Sequence, residues 1–168
     1  MKKGFTLMEV IIVLAIVAFV GLLSAPFGIQ FYNNQLISSM QSSFSDVLNG
    51  ARNQSMLQRG DMAYGIYINN IPATTTSFIF FGINSVNPTG DNYPGSEEST
   101  HVDYPVLEGM TITLPDSEEA SSTEIIFTKR TGVPIFNATT TSEGTIYIRW
   151  NGLERQILIN SFGMISEI

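Results

Sequence analysis

The most unusual ionisable residue of the sequence is Glu9, because it lies in an otherwise apolar segment. Residues 10–23 read VIIVLAIVAFVGLL, and no charged side chain occurs between Glu9 and Asp46. A carboxylate in a membrane-length apolar segment costs about 2.5 to 3.5 kcal/mol when it is central and unpaired. The only nearby cations, two lysines, lie upstream of Gly4. Glu9 is therefore expected to need a partner from outside its own helix, unless it simply reaches the membrane interface.

A short motif precedes this apolar segment. Residues 2–10, KKGFTLMEV, resemble the prepilin cleavage motif of type IV pilins and type II secretion pseudopilins. The resemblance implies that a prepilin peptidase cuts between Gly4 and Phe5 and that the new amino group of Phe5 is methylated. It further implies a structural filament subunit rather than an enzyme, with no cofactor and with other pilin or pseudopilin subunits as its partners.

The implied cleavage would supply the partner that Glu9 lacks. An α-amino group has a pKa of about 8, and a methylated amine remains cationic. The ammonium group of Phe5 on one subunit can therefore pair with the Glu9 carboxylate of a neighbour and fix their register. The resemblance assigns assembly roles to Thr6 and Pro26 as well.

The apolar segment has the length of a membrane helix. About 20 apolar residues span a bilayer, so residues 5–25 are predicted to cross the membrane. The alternative is a cleaved secretory signal, but Pro26 directly follows the candidate cleavage site after Ala25. Lys2 and Lys3 predict a cytoplasmic N terminus. The expected location is the bacterial inner membrane, single-pass, and after assembly a periplasmic pseudopilus or extracellular pilus.

A helical pattern continues beyond Pro26. Apolar residues recur every three or four positions at Leu36, Met40, Phe44, Val47 and Ala51. The stripe lasts only about two heptads, so packing on a sheet is favoured over a coiled-coil seam. The predicted organisation is a leader peptide (1–4), a membrane and filament-core helix half (5–25), an amphipathic helix half (26–59) and an exported β-rich domain (60–168).

Short β-rich runs follow residue 60, and they predict an antiparallel sheet domain at 64–68, 77–81, 106–114, 124–128, 145–150 and 153–160. The clearest hairpin turns at Asn151-Gly152, a pair typical of type I′ turns. This turn predicts a register with Trp150 opposite Leu153, Arg149 opposite Glu154 and Ile146 opposite Ile157, in which the opposite charges of Arg149 and Glu154 meet. The predicted fold is therefore α+β and pilin-like, with one long N-terminal helix packed against a C-terminal antiparallel β-sheet domain.

The region 84–104 is rich in Gly, Pro, Ser, Asn and acids, and is predicted to be a long surface loop. Its acids (Asp91, Glu97, Glu98, Asp103), like Asp116, Glu118 and Glu119, are oxygen ligands of the kind that calcium prefers. No spacing matches a calcium loop, so a solvated acidic loop is favoured and no metal site is assigned.

Composition narrows the possible functions. The formal net charge of −7 disfavours nucleic-acid binding, and the absence of cysteine excludes disulfides and thiol chemistry. The single histidine, His101, leaves few catalytic combinations. The expected partners are other subunits, a prepilin peptidase, an inner-membrane assembly platform and the lipid bilayer before assembly.

Two further stretches, residues 51–60 and 155–163, resemble the H-type minor pseudopilins and their minor-pilin relatives. The resemblance, together with the absence of cysteine, favours a minor subunit of a type IV pilus-like or type II secretion filament. The alternative is a binding module at the filament tip, such as a DNA-uptake minor pilin.

Overall fold

The computed structural model describes residues 6–57, 61–71, 74–84, 102–114, 123–136 and 143–168, with side chains except those at 22–27, 70–71 and 74–76. The described elements are α1 (Leu7–Met56), β1 (Ala63–Ile71), β2 (Thr74–Ile83), β3 (Val102–Pro105), β4 (Thr111–Thr113), β5 (Thr123–Phe127), β6 (Pro134–Phe136), β7 (Gly144–Trp150), β8 (Leu153–Ile159) and β9 (Ile165–Glu167). The chain divides into two compact units, Met1–Leu36 and Ile37–Ile168.

The first unit holds the N-terminal part of α1. The second unit, here called the globular unit, holds the rest of the helix packed on two antiparallel sheets. This confirms the predicted α+β, pilin-like fold, in which a long N-terminal helix packs against antiparallel β-structure. The predicted boundaries after residues 4, 25 and 59 stay predictions.

The strands of the globular unit form two sheets. The first has the order β3-β2-β1-β5-β6 and the second β4-β7-β8-β9. Within each sheet, every strand pairing among the described residues is antiparallel. The sequence predicted antiparallel strands but did not separate them into two sheets, because strands such as β1 and β5 pair across a long stretch of chain.

One strand prediction and one loop prediction were wrong in part. The strand expected over 106–114 is confined to β4, because a turn at Gly109, whose φ is +76°, precedes it. The loop expected over 84–104 includes most of β3, which pairs with the edge of β2. The three-residue strands β6 and β9 were missed, since so short a run shows no alternation.

The buried face of α1 differs from the predicted stripe. Phe44 and Ala51 are buried as expected, whereas Leu36, Met40 and Val47 are only half-buried. The buried positions recur at intervals of three and four at Ile37, Gln41, Phe44, Leu48, Ala51 and Ser55, and Ser45 beside Phe44 is buried as well. The predicted stripe differs from the buried face because the sequence pattern counted only apolar residues. Gln41 and Ser55 can be buried because they form hydrogen bonds to the sheets.

Side chains of α1 and of both sheets share one hydrophobic core. Phe44 from the helix meets Phe78 of β2 edge to face, with ring centroids 4.9 Å apart. A smaller cluster, with Phe81 and Ile126, lies on the opposite face of the first sheet, as strand alternation requires.

Ser55 connects the end of α1 to the first strand. Its side chain is fully buried, and its Oγ accepts a hydrogen bond from the Tyr64 N–H at 2.8 Å. We expect Ser55→Ala to lower the free energy of unfolding by about 1 to 3 kcal/mol, because a buried donor loses its acceptor. Ser43→Ala, at an exposed position of the same helix, should change it by less than about 0.5 kcal/mol. Urea unfolding of the full chain measures both, and equal losses would contradict the assignment.

The β7–β8 hairpin forms in the predicted register. Trp150 lies opposite Leu153, and Ile146 lies opposite Ile157. The turn residues have positive φ, 49° at Asn151 and 76° at Gly152, as a type I′ turn requires. The local sequence was therefore sufficient to predict this element.

The hairpin also carries the expected ion pair. Arg149 Nε donates to Glu154 Oε2 at 2.7 Å, and Gln156 donates to the other carboxylate oxygen at 2.9 Å. The hydrogen bond from Arg149, followed by that from Gln156, holds the pKa of Glu154 below its ordinary value. Because the folded pKa is lowered, the stabilisation is present above the ordinary carboxyl pKa and is lost as pH falls through the folded value.

An NMR titration of the Glu154 carboxyl carbon checks this pair. We expect a midpoint below that of the same carbon in the Arg149→Gln variant, which retains a long polar side chain without the charge. The effect on stability should be small, since the pair is exposed to solvent. Identical midpoints in the two proteins would contradict the pairing.

Candidate functional site

The helix α1 begins with a capping box formed by Thr6 and Glu9. The Thr6 N–H donates to Glu9 Oε2 at 3.1 Å, and the Thr6 hydroxyl donates to the same oxygen at 3.1 Å. In return, the Glu9 N–H donates to Thr6 Oγ1 at 3.3 Å. Two backbone N–H groups of the first turn, which no helical carbonyl can reach, are thereby satisfied. Thr6 is thus the N-cap, and Glu9 occupies the third helical position.

This geometry corrects one expectation about Glu9. The carboxylate was expected to have no partner within its own helix, but Thr6 supplies two donors from the preceding turn. The signal was present in the sequence, because a threonine followed three residues later by a glutamate ahead of an apolar run is typical of a capping box. The negative charge also lies at the positive end of the helix dipole.

The apolar side chains after the capping box are exposed in the isolated chain. Leu7 is 80% exposed and Phe19 is 63% exposed, and the intervening apolar residues are exposed on every side of the helix. A helix that is apolar all round requires an apolar environment, either lipid or other helices. This exposed apolar surface is therefore suited to contact with lipid or with other helices.

No helix within the described residues is both long enough and apolar enough to cross a membrane. The predicted span, residues 5–25, lies only in part within the described side chains.

The other predicted processing and assembly residues lie at the limits of the described chain. Gly4 and Phe5 are outside the described residues, so the peptide bond between them stays a prediction. Pro26 lies within α1, whose backbone is helical through this position, but its side chain is outside the described set. Of the predicted site residues, the structure brings together Thr6 and Glu9.

Of the acidic residues considered for calcium, the structure describes one. Asp103 lies on the edge strand β3 and is exposed, while the other six acids considered are outside the described residues. Among the residues that the structure describes, no group of three or more His, Cys, Asp or Glu side chains could hold a metal ion.

Comparison with known families finds a match in the N-terminal part of the chain. Residues 1–25 match the prokaryotic N-terminal methylation motif. Searches of the curated proteins and of the solved structures gave no significant match. The matched residues include the capping box and most of the exposed apolar helix. The chain therefore carries the N-terminal signature of type IV pilin and pseudopilin precursors. Proteins with this signature are structural subunits that a prepilin peptidase processes.

Proposed function

We propose that the chain is a minor pilin or pseudopilin, a structural subunit of a type IV pilus-like or type II secretion filament. It is made as a precursor, cut by a prepilin peptidase between Gly4 and Phe5, and methylated on the amino group of Phe5. The observation that carries this proposal is the methylation motif over residues 1–25, which includes the start of a long helix with exposed apolar side chains.

The exposed apolar surface of α1 is suited to two successive environments. Before assembly the lipid bilayer covers it, and after assembly the helices of neighbouring subunits replace the lipid. Glu9 then pairs with the methylated amino group of an adjacent subunit. In a low-dielectric surrounding an unpaired acid or an unpaired amine is energetically costly. The pair therefore favours the one register between the helices in which both charges meet.

The location follows from the two lysines of the leader. Lys2 and Lys3 favour a cytoplasmic N terminus, which sends the globular unit across the inner membrane of a bacterium. The further partners are an inner-membrane assembly platform and a separate motor ATPase, which would extract the subunit from the bilayer. Pro26 would adjust the helix near the outer end of the span.

The assignment as a minor subunit rests on the two stretches that resemble the H-type branch. They contact each other, since Arg52 Nη2 of the first donates to the Phe162 carbonyl oxygen of the second at 3.2 Å. A contact of this kind gives both stretches a common structural role at the end of α1. It supports the branch assignment.

The alternative, a DNA-binding module at the filament tip, has weaker support. Such a surface requires several free cations near one another. Of the cations of the globular unit, Lys129 is paired with Asp61 at 3.4 Å and Arg149 with Glu154. We therefore favour the structural role.

Mass spectrometry of the N terminus tests the proposed function. The full chain is expressed with and without a prepilin peptidase, and the N-terminal peptide is identified from the membrane fraction. We expect a peptidase-dependent start at methylated Phe5. An intact Met1 in the presence of the peptidase, or cleavage after Ala25, would contradict the proposal.

A further inference from the structure

A cleft, here called the aromatic cleft, opens in the globular unit between the C-terminal part of α1 and the β3 edge of the first sheet. Its volume of about 430 Å³ falls within the range of small-molecule sites. The described residues that line it are one carboxylate, one amide, three aromatic rings, two valines and a glycine: Asp46, Gln54, Tyr64, Phe80, Tyr104, Val47, Val102 and Gly50. The role proposed for the N-terminal motif does not use this cleft.

The sheet supplies the aromatic wall of the cleft. Tyr104 of β3 lies opposite Phe78 of β2, and their rings stack with centroids 5.0 Å apart. Tyr64 of β1 stacks on Phe80 of β2, with centroids 5.6 Å apart. Strand alternation places these side chains on the face of the sheet that meets the helix. Because each ring is held by a second ring, the wall is formed before any ligand arrives.

The helix supplies the polar wall of the cleft. Asp46, Gly50 and Gln54 follow one another at intervals of four residues, so they lie along one side of α1. Gly50 leaves a gap between the two polar side chains, since a Cβ added there meets nothing within 4 Å. Glycine in a helix interior is destabilising relative to alanine. Here it lowers helix stability without relieving a clash, and it widens the cleft, as a site that admits a ligand requires.

The charge of the cleft favours a cationic ligand. The Asp46 carboxylate is exposed, and no cation of the described part of the chain lies within ion-pair distance of it, whereas Lys129 and Arg149 pair with acids elsewhere. The faces of aromatic rings attract cations as well, and aromatic pockets recognise quaternary ammonium groups. An anion would meet the carboxylate with no lining cation to compensate, and a neutral ligand would gain nothing from its charge.

We propose that the aromatic cleft binds a small organic cation that carries a methylated ammonium group. The positive charge lies against Asp46 and the aromatic wall, the methyl groups contact the two valines, and Gln54 hydrogen-bonds a polar substituent of the ligand. The inference goes beyond the filament role and does not depend on it, because every residue involved belongs to the globular unit. Free small molecules and lipid headgroups both carry this group.

Ligand-observed NMR with the full chain, in a detergent that contains no choline group, tests the proposal. The probes are choline and its neutral isostere, in which carbon replaces the ammonium nitrogen. We expect choline to bind about tenfold more tightly than the isostere, which lacks both the attraction to the carboxylate and the cation–π contact. No binding of choline, or equal binding of the isostere, would overturn the proposal.

A third probe, glycerophosphocholine, distinguishes the two sources of the group, because it is the soluble headgroup of a lipid. Tighter binding than that of choline would identify a lipid headgroup as the ligand, and weaker binding would identify a free small cation.

A charge substitution locates the bound cation. Asp46→Asn removes the charge with little change of shape, and we expect it to weaken choline binding about fivefold while leaving binding of the isostere unchanged. Glu108→Gln is the matched control, because Glu108 is also exposed but does not line the cleft. Equal choline affinity in Asp46→Asn and Glu108→Gln would overturn the assignment of the cation to this cleft.

A second substitution fills the cleft. A helical side chain leans over the preceding turn, so the side chain of Gly50→Leu would lie toward Val47 and occupy the gap. We expect this variant to lose choline binding while its helix becomes more stable. Gly28→Leu is the control, since an added Cβ there also meets nothing within 4 Å but lies outside the cleft. Circular dichroism shows that each variant is folded, and unchanged choline affinity in folded Gly50→Leu would overturn the proposal.

Discussion

Glu9→Ala is expected to abolish most filament assembly while leaving membrane insertion and cleavage intact. In the proposed filament the carboxylate pairs with the methylated amino group of a neighbouring subunit, and removal of one member of a desolvated ion pair costs about 3 to 5 kcal/mol. A loss of this size at each added subunit lowers filament yield by orders of magnitude. Sheared filaments and membrane fractions, measured by immunoblot, separate assembly from insertion.

The capping box makes a sharper form of this experiment possible. Glutamine at the third helical position can still accept a hydrogen bond from the Thr6 N–H, so Glu9→Gln retains the cap and removes the charge. Thr6→Ala does the reverse, because it removes the hydroxyl contacts and retains the carboxylate. Loss of an N-cap side chain costs about 1 kcal/mol.

The two variants therefore distinguish the roles of Glu9. If charge pairing dominates, Glu9→Gln should assemble as poorly as Glu9→Ala, and Thr6→Ala should assemble much better than both. Comparable defects in Thr6→Ala and Glu9→Ala would reduce Glu9 to a helix cap. Normal filament yield from Glu9→Gln would exclude the ion pair.

Gly163→Ala is expected to be the most destabilising small substitution in the globular unit. Gly163 has a φ of +74°, and an added Cβ would overlap the Gly132 carbonyl oxygen and lie 3.0 Å from Arg52 Nε. The turn around it is fixed by Asn160, whose side-chain oxygen accepts from the Met164 N–H at 2.9 Å. The clash cannot be relieved by one side chain, so we expect a loss of about 4 kcal/mol or more.

Gly152→Ala is the matched control for this substitution. Its φ of +76° is nearly the same, but an added Cβ there meets nothing within 4 Å. The backbone strain alone should cost about 1 to 2 kcal/mol. Urea unfolding of the two full-length variants in the same detergent measures the difference, which isolates the steric term. Equal shifts of the two midpoints would contradict the close packing at the end of α1.

The sequence by itself determined the features that depend on residues close together in the chain. The type I′ turn at Asn151-Gly152 fixed the register of the β7–β8 hairpin, because two residues with positive φ align the flanking strands. The long helix was predicted from its apolar periodicity. The methylation motif over residues 1–25 was recognised from the residue types at the start of the chain. The capping box was also readable, since it spans only four residues.

Only the tertiary structure decided the features that depend on distant pairing. The division into two sheets required strands such as β1 and β5 to meet, which no local pattern specifies. The buried face of α1 includes Gln41 because its Nε2 donates to the Gln156 carbonyl oxygen at 2.8 Å, a partner far along the chain. A polar residue is buried where its hydrogen bond can form, and the sequence does not show that place until the fold supplies the acceptor.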